Sequence, residues 1–466
     1  MSRAVAWLAC MAVLTAAPPV AAAPASGAGH LDHSFGKAGV AMTAFGVAGE
    51  APAVTLGVAP DGSPIIVNNL EGTVVRFHAD GAVDKRFASG GRLQVAPGFG
   101  FVGGDERRFF ARSAAVDGAG RALVFGAISN GSRKAQGPEG VQISPSSAAV
   151  LRFTAAGRLD RSFGEGKGFF EGVVGIPPES STGFARAEAL AGTVDSQDRP
   201  VLVAGEWASA GGCYGKTTVE PQPRAVVRLT AAGQIDPSFG AGDGISPIGG
   251  SNSFPVVGID AADQPAVGVG RVGSQSARCG RGTTIYRLGV SGEALAGFGV
   301  GGMLSFNRRH LSLVEPSGSV ILSGQSGRTL SLARVAPDGS RDPSFGREGV
   351  GDVKLPLSAG LHVRPAAVDP AGRIRLVGFV GSPTSEPTKR EPERSSFVVA
   401  RLLPNGKLDR SFGKRGWIFT RLPAPLNLIS ATGVVDSAGR LVVGGIVTKP
   451  DHLVGAFAVA RYVLVP

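Results

Sequence analysis

Short apolar runs bounded by turn residues recur along the whole chain. In one well-defined unit the runs cover residues 122–126, 148–153 and 168–174, with polar or Gly-rich segments between them. Runs of five to eight residues rich in Val, Leu and Phe predict β-strands. No segment sustains an apolar period of 3.6 residues, so the pattern predicts very little helix.

A tight turn precedes the second strand of each unit. Its Asp, Pro and Gly residues are typical of hairpins between antiparallel strands. The turn recurs at residues 59–62, 117–120, 194–198, 259–263, 315–318, 368–372 and 435–439. These turns predict seven strand bodies, beginning near residues 52, 113, 190, 256, 311, 365 and 432.

A six-residue segment closes each unit, and Leu159-Asp160-Arg161-Ser162-Phe163-Gly164 is a complete copy. The seven copies, which we call the signature segments, begin at Leu31, Val83, Leu159, Ile235, Ala294, Arg341 and Leu408. The copy at Ala294 lacks the Asp, and the copy at Val83 has Ala88 in place of the Gly. We expect the Phe to be a buried wedge and the Gly to adopt a positive φ.

The two ends of the chain complete each other. The first signature segment has no strands before it, and the last strand body, 433–465, has no signature segment after it. These counts predict an all-β fold, a seven-bladed β-propeller of four-stranded antiparallel blades. An N-terminal strand should pair with the C-terminal blade and close the ring. Closure removes exposed sheet edges. An open β-solenoid is the alternative, but it would favour shorter repeats and terminal caps.

The Leu-Asp-x-Ser-Phe-Gly-x-x-Gly pattern, repeated at roughly 60-residue intervals, resembles the delta-60 repeat family of exported bacterial proteins. The resemblance covers essentially the whole chain after its N-terminal segment. It implies a propeller-like repeat fold. It implies no established activity and no catalytic residues, so no functional site can be carried over to this chain.

An Arg in each third strand accompanies the signature segments. In five units the signature Asp follows it by eight residues, and we interpret the pairs as structural: Arg76–Asp84, Arg152–Asp160, Arg228–Asp236, Arg334–Asp342 and Arg401–Asp409. Ring closure predicts that Arg461 meets Asp32. Arg287 should lack an Asp partner, because Leu295 occupies the equivalent position.

The N-terminal residues predict export. Arg3 precedes an apolar stretch, 4–17, that is too short to span a bilayer, and small residues follow it. We predict a signal peptide at 1–25, a single propeller domain at 26–466, and a secreted or periplasmic location. Two cysteines then remain, Cys213 and Cys279, in equivalent loops of adjacent blades. We predict a disulfide between them, with two free thiols as the alternative.

Charge and loop length suggest where a partner would bind. The formal net charge is +11, without a long Lys/Arg run or a nucleic-acid motif, so a nucleic-acid partner is not expected. The long loops should share one face, where binding usually occurs. The candidate contact residues on that face are Arg107, Arg108, Arg133, Lys134, Trp207, Tyr214, Lys216, Arg271, Arg278, Arg281, Arg308, Arg309 and His310.

The signals for catalysis are weak. The six His residues show no metal-binding spacing, and there is no Gly-x-Ser-x-Gly motif, so we assign no catalytic, cofactor or metal residues. The favoured hypothesis is a monomeric binding or scaffold protein for a protein, glycan or other anionic partner. A lyase or hydrolase acting on a polysaccharide or peptide at the channel mouth is the alternative. A structural role in an envelope assembly is the third.

Overall fold

The computed structural model describes residues 29–46, 54–68, 72–95, 107–130, 135–136, 142–143, 146–173, 187–205, 224–249, 255–270, 282–356, 360–381, 395–423, 426–448 and 455–464. Within these ranges the chain forms 31 β-strands and no α-helix. The described chain begins with β1 (His30–Leu31) and β2 (Val40–Gly46). Both strands belong to the blade that the C-terminal strands build.

Six four-stranded antiparallel sheets follow, each made of strands that are consecutive along the chain. Blade 1 contains β3 (Val54–Val58), β4 (Pro64–Asn68), β5 (Thr73–Arg76) and β6 (Arg92–Gln94). Blade 2 contains β7 (Arg107–Val116), β8 (Ala122–Asn130), β11 (Ser146–Phe153) and β12 (Phe169–Gly172), with a small β9 (Ala135–Gln136) and β10 (Gln142–Ile143) hairpin between β8 and β11. Blade 3 contains β13 (Glu188–Val194), β14 (Pro200–Gly205), β15 (Arg224–Arg228) and β16 (Ile245–Ile248).

The remaining blades follow the same plan. Blade 4 contains β17 (Val256–Ile259), β18 (Pro265–Gly270), β19 (Gly282–Arg287) and β20 (Met303–Asn307). Blade 5 contains β21 (His310–Val314), β22 (Val320–Ser326), β23 (Thr329–Val335) and β24 (Val350–Lys354). Blade 6 contains β25 (Leu361–Val368), β26 (Ile374–Val380), β27 (Ser396–Leu402) and β28 (Trp417–Arg421). Blade 7 contains β29 (Asn427–Val435), β30 (Leu441–Thr448) and β31 (Gly455–Val463), completed by β1 and β2.

The first strands of the blades form a closed cycle of contacts. β3 contacts β7, and the cycle continues through β13, β17, β21, β25 and β29 back to β3. The first strand of each blade is therefore innermost, around a central channel. The predicted seven-bladed β-propeller is confirmed.

The ring closes through the predicted pairing of the chain's two ends. Leu31 in β1 pairs with Tyr462, and Val40 in β2 pairs with Ala460, so both strands occupy the outer edge of β31. The first signature segment lies between β1 and β2. It thus takes the same place in blade 7 as the other signature segments take in their own blades.

Several first strands begin earlier than predicted, including β7, β25 and β29. Their registers shift between Ala111 and Ser113, between Pro365 and Ala367, and between Leu428 and Ser430. Such β-bulges interrupt the two-residue alternation of a strand. The alternation in the half of each strand before the bulge therefore does not continue into the second half. For this reason the sequence pattern does not predict the first half as strand.

The signature segments pack as wedges. All seven signature phenylalanines are buried, with at most 1% of their surface exposed. The glycines that follow have positive φ, and Ala88 adopts the same conformation with φ 47°. Each Phe lies against the turn of the next blade: a Cβ on Gly233 would lie 2.7 Å from the Phe163 ring. Both expectations for the signature segments are confirmed, and the segments join neighbouring blades.

Candidate functional site

The antiparallel strand order gives the ring two different faces. The turns between strands one and two and between strands three and four share one face, which we call the turn face. The connections between strands two and three, and those between successive blades, share the opposite face, which we call the loop face.

All seven third-strand arginines form ion pairs at the turn face. In blades 2, 3, 6 and 7 the Nε atom donates to the Oδ2 atom of the signature Asp. The N···O distances are 2.7 Å for Arg152–Asp160, 2.7 Å for Arg228–Asp236, 2.6 Å for Arg401–Asp409 and 2.7 Å for Arg461–Asp32. The expected contact between Arg461 and Asp32 is thus present.

The same arginines also join each blade to the next. Arg152 Nη1 donates to the carbonyl oxygen of Ala231 in blade 3 at 2.5 Å, and its guanidinium lies 4.5 Å from the Phe163 ring centroid. The Gly164 backbone N–H donates to Ala232 of the same turn at 2.8 Å. Equivalent bonds from the Arg to the next blade join Arg76 to Ala155, Arg228 to Val290 and Arg461 to Ala79. These contacts support a structural role for the Arg and the signature Asp.

In blades 1 and 5 the closest carboxylate is not the predicted one. Arg76 approaches Asp61 to 2.6 Å and Asp84 only to 3.6 Å. Arg334 approaches Glu315 to 2.7 Å and Asp342 to 3.3 Å. The predicted Arg–Asp pairs are present in both blades, but in each blade the predicted contact is longer than the contact with the other carboxylate.

The prediction that Arg287 lacks an Asp partner is wrong. Its Nη2 atom donates to Asp260 Oδ2 at 2.6 Å, and both side chains are buried. Leu295 does remove the signature carboxylate. However, the first strand of the same blade ends beside the Arg and supplies another, because a buried guanidinium requires a partner.

Sequence analysis missed a second set of carboxylates on the turn face. In six blades an acidic residue directly follows the first strand and pairs with an Arg. These residues are Asp117, Asp195, Asp260, Glu315, Asp369 and Asp436. In four turns the partner is the Arg four residues later, as in Asp117–Arg121 at 2.6 Å. That i, i+4 spacing is the sequence signal that could have revealed the set.

Two of these turns carry an Asp where other blades have a positive-φ glycine. Asp198 and Asp263 both have φ 58°. Asp198 accepts a hydrogen bond from the Gly118 backbone N–H of blade 2 at 2.8 Å. Asp263 accepts from Ser196 of blade 3, through the backbone N–H at 2.9 Å and through Oγ at 2.7 Å. These carboxylates therefore bond blades 2 to 3 and 3 to 4.

Most of the predicted binding residues lie outside the described residues. They are Arg133, Lys134, Trp207, Tyr214, Lys216, Arg271, Arg278 and Arg281. The predicted disulfide partners, Cys213 and Cys279, also lie outside them. Within the described ranges, Arg107 begins β7 and Arg108 is exposed on the same strand.

The structure does bring Arg308, Arg309 and His310 together on the loop face, between β20 and β21. Arg308 and His310 are exposed, and Arg308 has a positive φ of 56°. Arg309 is half-buried, and its Nη2 atom donates to Ser331 Oγ at 2.8 Å. Its Nε atom is buried and has no hydrogen-bond partner among the described residues. These residues form no ion pair within the described part of the chain.

A further cation, missed by sequence analysis, lies on the first strand of blade 6. Arg364 donates from Nη2 to the carbonyl oxygen of Ala431, on the first strand of blade 7, at 3.2 Å. Its side chain retains accessible surface, yet the surrounding protein lowers its pKa by burial. Because β25 is an innermost strand, a side chain on it that is accessible and yet has its pKa lowered by burial faces the central channel. Among the described residues no carboxylate pairs with it.

Other ionisable groups lie on the first strands, and Arg224 begins the third strand of blade 3 at its loop-face end. The His362 ring stacks on Phe379 with centroids 5.0 Å apart, and burial lowers its pKa. Arg112 donates from Nε to Glu188 at 2.8 Å, across blades 2 and 3. Burial also lowers the pKa of Arg224 to about 10, although the nearby Glu188 charge opposes that shift.

The described residues contain no group of three or more His, Cys, Asp or Glu side chains arranged to hold a metal ion. No helix in that part of the chain is long and apolar enough to cross a membrane. A lyase or hydrolase site at the channel mouth therefore stays a hypothesis. What the described geometry offers is guanidinium groups without carboxylate partners, a chemistry suited to anions.

One family comparison agrees with the fold. A family described as a domain of unknown function (DUF5122) β-propeller matches residues 315–345 and 394–412, two segments that end at the signature phenylalanines of blades 5 and 6. No curated protein gives a significant match. The resemblance to the delta-60 repeat family stays a prediction.

The chain is also similar to solved structures, all at low identity. A protein of unknown function from Dyadobacter fermentans DSM 18053 is 11% identical, with 77% of this chain and 95% of that chain covered and a TM-score of 0.36. The WD40 domain of Toxoplasma gondii coronin is 7% identical, with 92% and 87% covered and a TM-score of 0.40. The S. cerevisiae core factor is 9% identical, with 91% and 61% covered and a TM-score of 0.38.

Proposed function

We propose that this chain is an exported β-propeller that binds an anionic partner through its loop face, at the mouth of the central channel. The observation that carries the proposal is the unpaired guanidinium of Arg364. At the turn face, every third-strand Arg has a carboxylate within 2.8 Å. Arg364 is accessible from the channel, and its partner among the described residues is a backbone carbonyl.

A guanidinium in this position has a physical cost. Burial disfavours its charged form, which is why its pKa is lowered. An anion arriving in the channel would relieve that cost, and the interaction would be stronger there than at an open surface. Arg108, Arg308 and His310 are exposed on the same face. They would attract the partner over a longer range.

The proposal extends to the N-terminal residues and to the two cysteines of the long loops. Residues 1–25 would be removed as a signal peptide, and 26–466 would form one domain of a delta-60 repeat protein, secreted or periplasmic. In such an oxidising compartment Cys213 and Cys279 would form a disulfide. N-terminal sequencing of protein purified from a bacterial periplasm tests the cleavage. Mass spectrometry after thiol alkylation tests the disulfide, and two alkylated cysteines in the non-reduced protein would rule it out.

Chromatography on immobilised heparin, a sulfated glycan, tests the binding surface. The mature protein should elute at a higher salt concentration than a protein of the same net charge whose positive charges are spread evenly over its surface. The double variant Arg308→Gln/Arg364→Gln should elute at clearly lower salt, because it loses two loop-face charges. Arg158→Gln/Arg161→Gln is a matched control, since it removes two exposed charges from the turn face.

The comparison between the two double variants tests whether the loop face is the binding surface. If both elute at the same salt, retention depends only on net charge, and the loop face is not the binding surface. If only the loop-face variant changes, the proposed surface is supported. Circular dichroism of both variants checks that each is still folded.

A further inference from the structure

The seam between blades 4 and 5 contains a polar cavity of about 320 Å³. Its wall includes Ser305, Phe306 and Asn307 of β20, together with Arg309 and Arg341. Small-molecule sites in proteins usually begin at about 300 Å³, so the cavity has the size of a compact ligand. It lies on the outer side of the ring, away from Arg364.

A change in the signature segment explains why this seam is open. In five blades the first signature residue is aliphatic and packs in one cluster with the signature Phe of the preceding blade. These residues are Leu31, Val83, Leu159, Ile235 and Leu408. In blade 5 the residue is Arg341, which is exposed and lines the cavity. The seam therefore has a cation where five other seams have an aliphatic residue and the seam between blades 3 and 4 has Ala294.

Two inter-blade bonds of the blade 2/3 seam are absent or longer at this seam, although the Ala261 backbone N–H donates to Pro316 at 3.1 Å. Arg287 of blade 4 bonds to Asp260 and Gln264 within its own blade. It therefore does not repeat the bond that Arg152 makes to the next blade. The Gly299 backbone N–H reaches Asp338 of blade 5 at 3.4 Å, compared with 2.8 Å for Gly164 at the seam between blades 2 and 3.

The cavity wall is cationic without a balancing carboxylate. Arg309 and Arg341 form no ion pair within the described residues, and the Nε atom of Arg309 is buried without a hydrogen-bond partner there. The nearest acidic residues along the chain do not line it. Asp342, next to Arg341, pairs with Arg334 at 3.3 Å, Asp338 accepts from Ser340, and Asp352 pairs across strands with Ser331. A buried donor left without an acceptor is costly unless a ligand supplies one.

We infer that this cavity binds a small organic oxyanion, a phosphate, sulfate or carboxylate group carried on a compact organic body. The two guanidiniums contact the oxyanion, and the buried Phe306 supplies an apolar wall for the body. The cavity is separate from the channel mouth at Arg364, although Arg309 belongs both to the loop face and to the cavity wall. Arg341, its defining residue, belongs to the signature segment and not to the loop face.

Isothermal titration calorimetry on the full mature protein tests the inference. The probes are glucose 6-phosphate, glucuronate, inorganic phosphate and, as the neutral comparison, glucose. Glucose 6-phosphate or glucuronate should bind with measurable heat, and glucose should not. Whichever of the two binds more tightly identifies the preferred oxyanion. No binding of either at 10 mM, about the weakest affinity of interest, overturns the inference.

Three variants identify the site. Arg341→Leu restores the residue type of the other seams, so it should raise the melting temperature while weakening binding at least about tenfold. Arg309→Gln should weaken binding to a similar degree. Arg347→Gln removes an exposed charge from the same blade outside the cavity, and it should leave the affinity unchanged.

Unchanged affinity in a stable Arg341→Leu protein would overturn the inference, as would equal binding of glucose and glucose 6-phosphate. Inorganic phosphate binding as tightly as glucose 6-phosphate would contradict the role given to Phe306, because the organic body would then contribute nothing to binding. Loss of heparin retention in the Arg308→Gln/Arg364→Gln protein, with normal sugar-phosphate affinity, would show that the two sites are distinct.

Discussion

Asp32 accepts a hydrogen bond from Arg461 Nε at 2.7 Å, although 429 positions separate the two residues in the chain. The Arg461 side chain is 4% exposed and that of Asp32 12% exposed. The same guanidinium also donates to Ala79 in blade 1 and to Ser34. One Arg thus holds the N-terminal strands, the C-terminal blade and the first complete blade together.

Asp32→Asn is expected to destabilise the fold by about 3 kcal/mol, because it leaves a buried guanidinium without its carboxylate. It should also loosen the closing blade. Hydrogen exchange monitored by mass spectrometry should show reduced protection in residues 30–46 and 455–463. Asp160→Asn is the matched control, since it breaks the equivalent pair in blade 2, where the outer strand is connected on both sides. Equal protection of 30–46 in the two variants would contradict the closing role of Arg461.

The signature carboxylates should make the fold sensitive to acid. Burial alone would raise the pKa of Asp32, but the hydrogen bonds from Ser34 and Arg461 outweigh it and lower the pKa. The pKa values of Asp160, Asp236 and Asp409 are lowered in the same way. A carboxyl group with a lowered folded pKa stabilises the fold fully above its unfolded pKa of about 3.9. That contribution disappears as the pH falls through the folded pKa.

Stability measured by urea denaturation should therefore be nearly constant from pH 7 to about pH 5 and decrease below about pH 4. In Asp160→Asn the decrease should be shallower, because one titrating group is gone. Glu315 acts in the opposite direction, since burial raises its pKa despite the opposing charge of Arg334. Stability that rises steadily below pH 4 would contradict the assignment of the four aspartates.

Ala88→Gly is expected to stabilise the protein by up to about 1 kcal/mol. Ala88 occupies the signature Gly position with φ 47°, a conformation that costs a residue with a Cβ about 1–2 kcal/mol. Removing the Cβ relieves that cost, although the added freedom of the unfolded chain offsets part of it. Thermal denaturation followed by circular dichroism measures the effect. Ala82→Gly, in the same blade and without a positive φ, should instead be neutral or slightly destabilising.

Asp263→Gly is expected to destabilise the protein by about 1 kcal/mol, even though glycine tolerates the positive φ of this position better. The variant loses the two hydrogen bonds from Ser196 that connect blades 3 and 4. Those bonds outweigh burial and lower the pKa of Asp263. Asp263→Asn retains an acceptor and tolerates the conformation, so it should lose less. A glycine variant as stable as the parent protein would mean that the Ser196 bonds contribute nothing.

The sequence by itself determined the number of blades and the way the ring closes. Seven signature segments, the first of which, at Leu31, has no strands before it, were enough, because a repeat that cannot bury its own sheet must stack on its neighbours. The buried Phe and the positive-φ Gly followed from residue type alone. The match between Asp160 and Arg152 followed from spacing across a short turn.

Only the tertiary structure decided which distant groups meet. Arg287 pairs with Asp260 because the turn at the end of the first strand lies beside the third strand. No short spacing in the sequence indicates that these two residues are close. Arg364 faces the channel because β25 is innermost, and Arg341 borders a cavity because an aliphatic plug is missing from that seam. Local pattern specifies strands and turns, whereas the positions of unpaired charges depend on how the blades pack. The candidate sites therefore emerged from the packed ring.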